Sequence, residues 1–393
     1  MHQSILKEID GIATVLLNAP RNKEIGLYSG NAGVSLFLFY YARFRNSTII
    51  RQKASEIVDD LFAQIEAASQ PVFSLCTGIA GVGWLIDHLC QQGFLADDPC
   101  VILSDIDEYL YREAFNKLRI GYFDFLHGAM GIVFYLVKRN RQDYLHHLIR
   151  ALSNIVVWDG DCAKWRAVSK HEEKILEFSI SLSHGCSSLA LVLGKILQIM
   201  PEEEMVKRLL KGTVEFICKQ EISVEQYGCY FPAYSIESQQ GDIPKSRLAW
   251  CHGDIGVALA IWQTGIRLRN QAWIDKGMDV LLFSANRRGA TENRIEDAGI
   301  CHGASGVAHI FNRLYRNTRD VAFKDAAAYW CREALSLGIL GDGLTAYEAW
   351  SSKESKNVKL NKSFLSGIAG FGLSLLSFIM PKDPAWDDCL LLS

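Results

Sequence analysis

The chain has 393 residues, of which 49% are hydrophobic and 22% are charged, and its formal net charge is -3. This balance is typical of a soluble globular protein with a large buried core. Because there is no surplus of basic residues, the composition argues against a nucleic-acid-binding function and against attraction to an anionic membrane surface.

The number of cysteines and the hydropathy of the chain indicate the cellular compartment of the protein. The eleven cysteines extend from Cys76 to Cys389 in a chain too large to need disulfides for its stability. An odd number of thiols without a disulfide framework is typical of a reducing compartment. The first residues do not resemble a signal peptide, and the most apolar stretch, residues 364–380, is shorter than the roughly 20 residues that span a membrane. We therefore expect a cytoplasmic protein with no stable membrane insertion.

A repeated motif organises the sequence from one end to the other. Gly-x-x-Gly recurs at spacings of about 50 to 70 residues, which is a period typical of helical arrays. A degenerate copy begins at Gly185, where Ser188 takes the place of the second glycine. The complete copies, in chain order, are Gly30/Gly33, Gly78/Gly81, Gly128/Gly131, Gly253/Gly256, Gly303/Gly306 and Gly367/Gly370.

Each copy predicts a helical hairpin. The run after a motif, such as 132–136 or 257–262, is apolar throughout, and a helix of that kind must be buried on nearly all sides. The stretches between copies, such as 55–68 and 202–220, are amphipathic and more charged, which predicts half-exposed helices. The glycines would allow close backbone approach where each buried helix begins.

Seven such hairpins predict a closed arrangement. An open array would leave an apolar face at each end, whereas a ring leaves none. We therefore predict an all-α fold, an α/α toroid of seven helical hairpins that forms one domain over residues 1–393. The longest interval between copies, from Gly185 to Gly253, contains 227–232 and 239–242 and predicts an irregular loop, a type of segment that often carries function.

The residues directly before the first glycines concentrate metal-binding and acid–base side chains. Equivalent positions of a ring of repeats lie at the same end, so these side chains should be close together. The position before the first glycine is histidine in four consecutive copies, namely His127, His184, His252 and His302. The position before that is cysteine in three copies, namely Cys76, Cys251 and Cys301.

Two of these copies are nearly identical. Cys251-His252-Gly253 and Cys301-His302-Gly303 belong to adjacent repeats, so we expect their side chains to converge. Two thiolates and an imidazole are suitable zinc ligands, and three protein ligands leave a fourth position open for catalysis. Helix N-termini also favour the thiolate form of cysteine.

The pattern does not select which histidine binds, and Cys76 is a further candidate thiol. Buried structural thiols and hydrogen-bonded core histidines are the alternative interpretation, which the duplication of the pair disfavours.

These residues resemble the lanthionine synthetase C-like family. The matching motifs are Trp250-Cys251-His252-Gly253, Cys301-His302-Gly303, Ser183-His184-Gly185 and residues 363–370, and the resemblance extends over essentially the whole chain. It implies an α/α toroid with zinc at its centre. By the same resemblance the zinc ligands are Cys251, Cys301 and His302, and the catalytic residues are His184, Asp124, Arg247 and His252.

The resemblance also implies a reaction. Members of this family add cysteine thiols to dehydroalanine or dehydrobutyrine in a dehydrated precursor peptide, which is the cyclisation step of lanthipeptide biosynthesis. His184 or His252 would supply a proton, Asp124 would orient His184, and Arg247 would donate to the developing oxyanion. We expect a precursor with a leader as partner and a separate dehydratase. The alternatives are an enzyme of this family that adds glutathione to dehydroamino acids in proteins, and a non-catalytic zinc-bearing adaptor that binds peptides.

Overall fold

The fold is dominated by helices. The computed structural model describes residues 1–21, 23–168, 175–238, 243, 245–338, 360–382 and 384–393. Within these ranges the α-helices, in chain order, are α1 (His2–Asn18), α2 (Asn31–Arg45), α3 (Thr48–Glu66), α4 (Ile79–Gln91), α5 (Pro99–Ile102), α6 (Ser104–Arg119), α7 (Ala129–Lys138), α8 (Gln142–Asn154), α9 (Cys186–Ile199), α10 (Glu204–Cys218), α11 (Val224–Tyr227), α12 (Asp254–Leu268), α13 (Gln271–Asn286), α14 (Ala304–Thr318), α15 (Val321–Leu337) and α16 (Ile368–Ile379). Short 3-10 helices lie at Ile236–Ser238, Thr291–Asn293 and Ala385–Leu390.

The buried helices begin where the motifs predict. In the described part of the chain α2, α4, α7, α9, α12, α14 and α16 each start directly after the first glycine of a copy, including the degenerate copy at Gly185. Nearly every residue of α2, α7 and α9 is buried. The intervening helices bury only one face, as α3 and α8 do. The predicted alternation of buried and half-exposed helices is confirmed.

One helix pair joins the two ends of the sequence. Several closely packed pairs are neighbours in the chain, namely α2 with α3, α9 with α10 and α14 with α15. The last buried helix, α16, instead packs against the N-terminal helix α1. The half-exposed partner of the seventh copy therefore comes from the start of the chain.

The chain divides into two compact units. The first consists of Met1–Val72, Cys76–Ala96 and Ala285–Ser393, and the second of Phe73–Leu75 and Asp97–Ser284. The first unit contains four motif copies, and the second contains the three copies that begin at Gly128, Gly185 and Gly253. A single domain over residues 1–393 stays a prediction.

Short strands interrupt the helical pattern between α8 and α9. Two antiparallel hairpins lie there, formed by β1 (Val157–Asp159) with β2 (Cys162–Lys164) and by β3 (Arg166–Val168) with β4 (Ile175–Phe178). The sequence analysis did not predict these strands. Between α10 and Gly253 the described residues form only α11 and one short 3-10 helix, in agreement with the predicted loop, whereas 239–242 lie outside the described residues.

The turns that precede the first glycines, here called the motif turns, are joined by backbone hydrogen bonds. In each bond an N–H of one turn donates to the carbonyl oxygen two residues before the first glycine of the next copy. The first unit contains the bonds Cys301 N–H to Leu365 O (2.9 Å), Leu365 N–H to Tyr28 O (2.9 Å) and Tyr28 N–H to Cys76 O (3.0 Å), and the second contains Leu182 N–H to Cys251 O (3.0 Å).

The second glycine of a motif makes room for the preceding motif turn. A Cβ atom on Gly256 would lie 2.7 Å from the carbonyl oxygen of Trp250 and 2.9 Å from the Cβ atom of Leu182. On Gly370 it would lie 2.8 Å from the Cγ1 atom of Ile300. A side chain at either position would force buried neighbours apart, so the predicted role of the glycines in close packing is confirmed.

None of the eleven cysteines, all of which lie among the described residues, forms a disulfide bond. Among the described residues, no helix combines the length and the apolar character that crossing a membrane requires.

Replacing the second glycine should therefore destabilise the fold. We expect Gly256→Val to lower the free energy of unfolding by about 2 kcal/mol or more, since overpacking of a filled core has costs of that order. Ala151→Val, which also introduces a valine but on the partly exposed face of α8, should lower the free energy of unfolding by less than about 1 kcal/mol. Urea denaturation of both variants measures the difference, and equal losses would contradict the packing argument.

Candidate functional site

Two thiols and an imidazole form a group with the composition of a metal site. The Sγ atoms of Cys251 and Cys301 and one ring nitrogen of His302 all lie within 4.8 Å of one another. Cys251 is buried, and the other two residues are partly exposed. Two thiolates, one imidazole and access from solvent are the donor set that suits zinc with an open coordination position. Among the described residues, this group includes His302 and no other histidine, and it does not include Cys76.

The imidazole of His302 is oriented by a carboxylate. Its Nε2 atom lies 3.3 Å from Oδ2 of Asp297. The backbone holds Asp297 in turn, because its Oδ1 accepts from Gly299 N–H (2.7 Å) and its main-chain oxygen accepts from Ala304 N–H (2.9 Å). Carboxylates that fix the second nitrogen are usual partners of metal-binding histidines, so this contact supports the fit to zinc.

Sequence reasoning missed Asp297. It lies six residues before its first glycine, and the equivalent residue of the preceding copy is Arg247. At this position one copy therefore has an acid and the preceding copy a base. Only the first copy shares an acid at this offset, as Glu24, so the sequence contained little signal for Asp297.

His184 and Asp124 form a close pair. The Nδ1 atom of His184 lies 2.6 Å from Oδ2 of Asp124, and the other carboxylate oxygen accepts from the backbone N–H of His127 at 2.6 Å. Both oxygens of Asp124 are therefore engaged. The backbone N–H of His184 donates to Ser181 Oγ at 3.1 Å, which fixes the turn on the other side. This arrangement directs Nε2 of His184 away from the carboxylate.

The surroundings of His184 favour its protonated form. Burial lowers the pKa of His184, but the hydrogen bond and negative charge of Asp124, with a smaller contribution from Cys251, outweigh it. The pKa is consequently raised above its usual value of 6.5. An imidazole of this kind holds a proton near neutral pH and can deliver it to a substrate.

Aromatic rings continue on both sides of His184. The His127 ring stacks against it with centroids 6.1 Å apart, and the His252 ring lies 6.2 Å away at a tilt of 47°. Tyr234 then packs edge-on against His252 with centroids 5.8 Å apart. The four rings form a row within the second unit, and Tyr234 is the member that the sequence did not predict.

Backbone packing fixes the position of Arg247. Its carbonyl oxygen packs against Gly253, which has a φ of +95° that favours glycine. The side chain is partly exposed, and among the described residues its guanidinium has no ion-pair partner. A guanidinium without an acid beside it can donate to an anionic group of a ligand.

Comparisons with known proteins agree with the fold. A sequence profile of the family described as "Lanthionine synthetase C-like protein" matches residues 22–391. A solved structure named nisin cyclase aligns with a TM-score of 0.76 at 21% identity, covering 99% of this chain and 97% of that one. That structure is an α/α toroid, so the predicted toroid is confirmed.

Two relatives carry functional names. The nisin biosynthesis protein NisC of Lactococcus lactis subsp. lactis is 24% identical over 315 residues, which make up 74% of this chain and 74% of that protein. Glutathione S-transferase LANCL1 of Danio rerio is 22% identical over 351 residues, or 84% of this chain and 80% of that protein. Both alignments cover most of each partner.

The pair of His184 and Asp124 can be tested by titration. In Asp124→Asn the amide oxygen can still accept from the His127 N–H, but the negative charge beside the ring is lost. We therefore expect the pKa of His184 to fall. NMR titration of the ring protons, assigned by their absence from the His184→Gln spectrum, measures the change. An unaltered or raised pKa in Asp124→Asn would contradict the assigned cause.

Proposed function

The chain belongs to the lanthionine synthetase C-like family, and from that premise we propose that it is a zinc-dependent cyclase that forms thioethers in a dehydrated precursor peptide. The observation that carries the proposal is the group of Cys251, Cys301 and His302, whose donor atoms suit zinc. The pair of His184 and Asp124 supports it, because the reaction needs a proton donor.

The reaction is an addition that balances without an oxidant or reductant. The sulfur of a substrate cysteine forms a bond to the β-carbon of dehydroalanine or dehydrobutyrine, and the carbon–carbon π bond breaks. The electron pair moves onto the α-carbon and its carbonyl oxygen as an enolate. The α-carbon then takes a proton, which replaces the one lost from the thiol.

Three residues would hold the metal, namely Cys251, Cys301 and His302. When bound, zinc supplies an activated substrate thiol by lowering its pKa, so that a nucleophile exists at neutral pH. Asp297, whose Oδ2 lies 3.3 Å from Nε2 of His302, would hold the ring in a fixed orientation for this purpose.

The remaining candidate residues act on the enolate. His184 holds a proton that Asp124 stabilises, and its Nε2 atom is the one that can deliver it to the α-carbon. His252 lies next in the row of rings and is the second candidate donor. Arg247 donates a hydrogen bond to the oxyanion, a role that suits a guanidinium with no acid beside it.

The partners follow from the reaction. The substrate is a precursor peptide with a leader and with dehydrated serine or threonine residues, and a separate dehydratase prepares it. The similarity to NisC, which is named as a nisin biosynthesis protein, supports this choice of substrate.

A second candidate function has its own support. LANCL1 is named as a glutathione S-transferase, and its alignment covers a larger share of this chain than that of NisC. In that case the thiol would come from glutathione and the acceptor would be a dehydroamino acid in a protein. Saturable glutathione binding together with no ring formation in a dehydrated peptide would favour this function over the cyclase.

The metal assignment predicts different results for two cysteines at equivalent positions. Cys301→Ala should lose bound zinc and ring formation, because one of three protein ligands is removed. Cys76→Ala, at the same offset in the second copy, should keep both. Zinc content by elemental analysis and ring formation by mass spectrometry test the pair. Full zinc and full cyclisation in Cys301→Ala would remove the core of the proposal.

The acid–base assignment predicts a pH dependence. His184 must be protonated to act, so activity should fall as the pH rises through its pKa, which is raised above 6.5. His184→Ala should lose roughly 10²- to 10⁴-fold in kcat while retaining zinc, since a positioned acid contributes that much. The pH profile of kcat tests the expected loss of activity, and the zinc content of the variant shows whether the metal is retained. Normal ring formation by the variant would assign the proton transfer to another residue.

A further inference from the structure

Tyr234 presents an exposed ring beside the candidate site. Its side chain is 54% exposed, yet its ring packs edge-on against that of His252 with centroids 5.8 Å apart. It belongs to residues 229–238, here called the wall loop, and Ile236 of the same loop is also exposed (39%). Exposed aromatic side chains held at the edge of a site are common points of ligand contact.

The wall loop is anchored to the helix that follows the fifth motif turn. Asp254, the first residue of α12, is fully buried, and its Oδ1 accepts from Tyr230 N–H (3.1 Å) and Phe231 N–H (2.8 Å). Farther along the loop, Ile236 N–H donates to Gln220 Oε1 at 2.8 Å. Hydrogen bonds from both halves of the loop therefore hold Tyr234 between fixed points.

An ion pair between buried Lys164 and exposed Glu237 provides another anchor. Lys164 of β2 is only 7% exposed, and its Nζ lies 2.6 Å from Oε2 of Glu237 in the wall loop. The ammonium group also lies 4.5 Å from the ring centroid of Phe178 and 5.7 Å from that of Phe216. Oδ2 of Asp159 in β1 also lies 3.5 Å from the ammonium group, so the carboxylates of Asp159 and Glu237 together balance the buried charge and connect the loop to the β-hairpin. This gives the strands between α8 and α9 a role in positioning the loop.

We propose that Tyr234 contacts the substrate, and that its ring forms the apolar edge of the substrate site beside His252. The ligand group that fits an exposed aromatic ring in the same loop as exposed Ile236 is the apolar side chain of the residue adjacent to the dehydroamino acid. Lys164 and Glu237 are positioning residues that keep the ring there. This inference rests on the proposed cyclase function and adds a preference among substrate sequences.

The test uses the zinc-loaded full chain and two synthetic peptides. Each peptide contains one dehydroalanine and one cysteine, and the residue beside the dehydroalanine is leucine in one and asparagine, of similar size, in the other. Tyr234→Ala should raise KM for the leucine peptide roughly three- to tenfold, with kcat within about twofold of the wild type. KM for the asparagine peptide should change much less. Tyr234→Phe, which keeps the ring, should behave as the wild type does.

Two further variants separate substrate contact from general damage. Lys164→Met keeps the apolar stem but leaves Glu237 unpaired, so it should raise KM for the leucine peptide in the same direction as Tyr234→Ala. Tyr109→Ala, at an exposed tyrosine of α6 (65%), should change neither constant. The melting temperature of each variant shows whether the fold is intact.

The two levels of the proposal fail in different ways. If the wild type cyclises both peptides and Tyr234→Ala has the same KM values, the substrate contact is wrong and the cyclase function stands. An equal rise in KM for both peptides would also overturn the apolar preference. If the wild type forms no ring above the rate without protein, the cyclase function fails and the inference fails with it.

Discussion

The backbone hydrogen bond from one motif turn to the next is the constraint on which the rest of the structure depends. In the first unit it connects the sixth, seventh, first and second turns, and in the second unit it connects the fourth and fifth. The second glycine leaves space for the apolar side chain of the turn before it. Residues directly before the first glycines are thereby held at helix N-termini, where the partial positive charge of the helix favours thiolates. The close packing of the motif turns therefore places the reactive side chains at equivalent positions.

The same bonds link the candidate metal ligand to the candidate acid. The carbonyl oxygen of Cys251 accepts from the backbone N–H groups of Leu182 and Ser183, directly before His184. A shift of one residue would therefore displace the other. Asp124 and Asp297 also help to fix the site. Each carboxylate orients an imidazole and is itself held by a backbone N–H group. Pre-organisation of this kind is what a proton transfer at a defined position requires.

The sequence predicted the features that recur in each copy of the motif and missed most of those that occur once. Helix starts, the alternation of buried and half-exposed helices and the cysteine and histidine positions all recur at fixed offsets, so periodicity alone located them. Asp297 has an acidic counterpart only in Glu24 of the first copy, and Tyr234 lies outside the repeated motif. The pairing of α1 with α16 joins elements at opposite ends of the chain, and the strands between α8 and α9 occur once. The family resemblance, and not the spacing, singled out His302 as the metal-binding histidine.

The central claim is that two thiolates and one imidazole of this chain hold a zinc ion that keeps a position for the substrate thiol. X-ray absorption at the zinc edge, measured before and after addition of a cysteine-containing peptide, tests it most directly. We predict two sulfur ligands at about 2.3 Å in the free protein and a third after the peptide is added. A protein without zinc, or a ligand shell that the peptide does not change, would contradict the account.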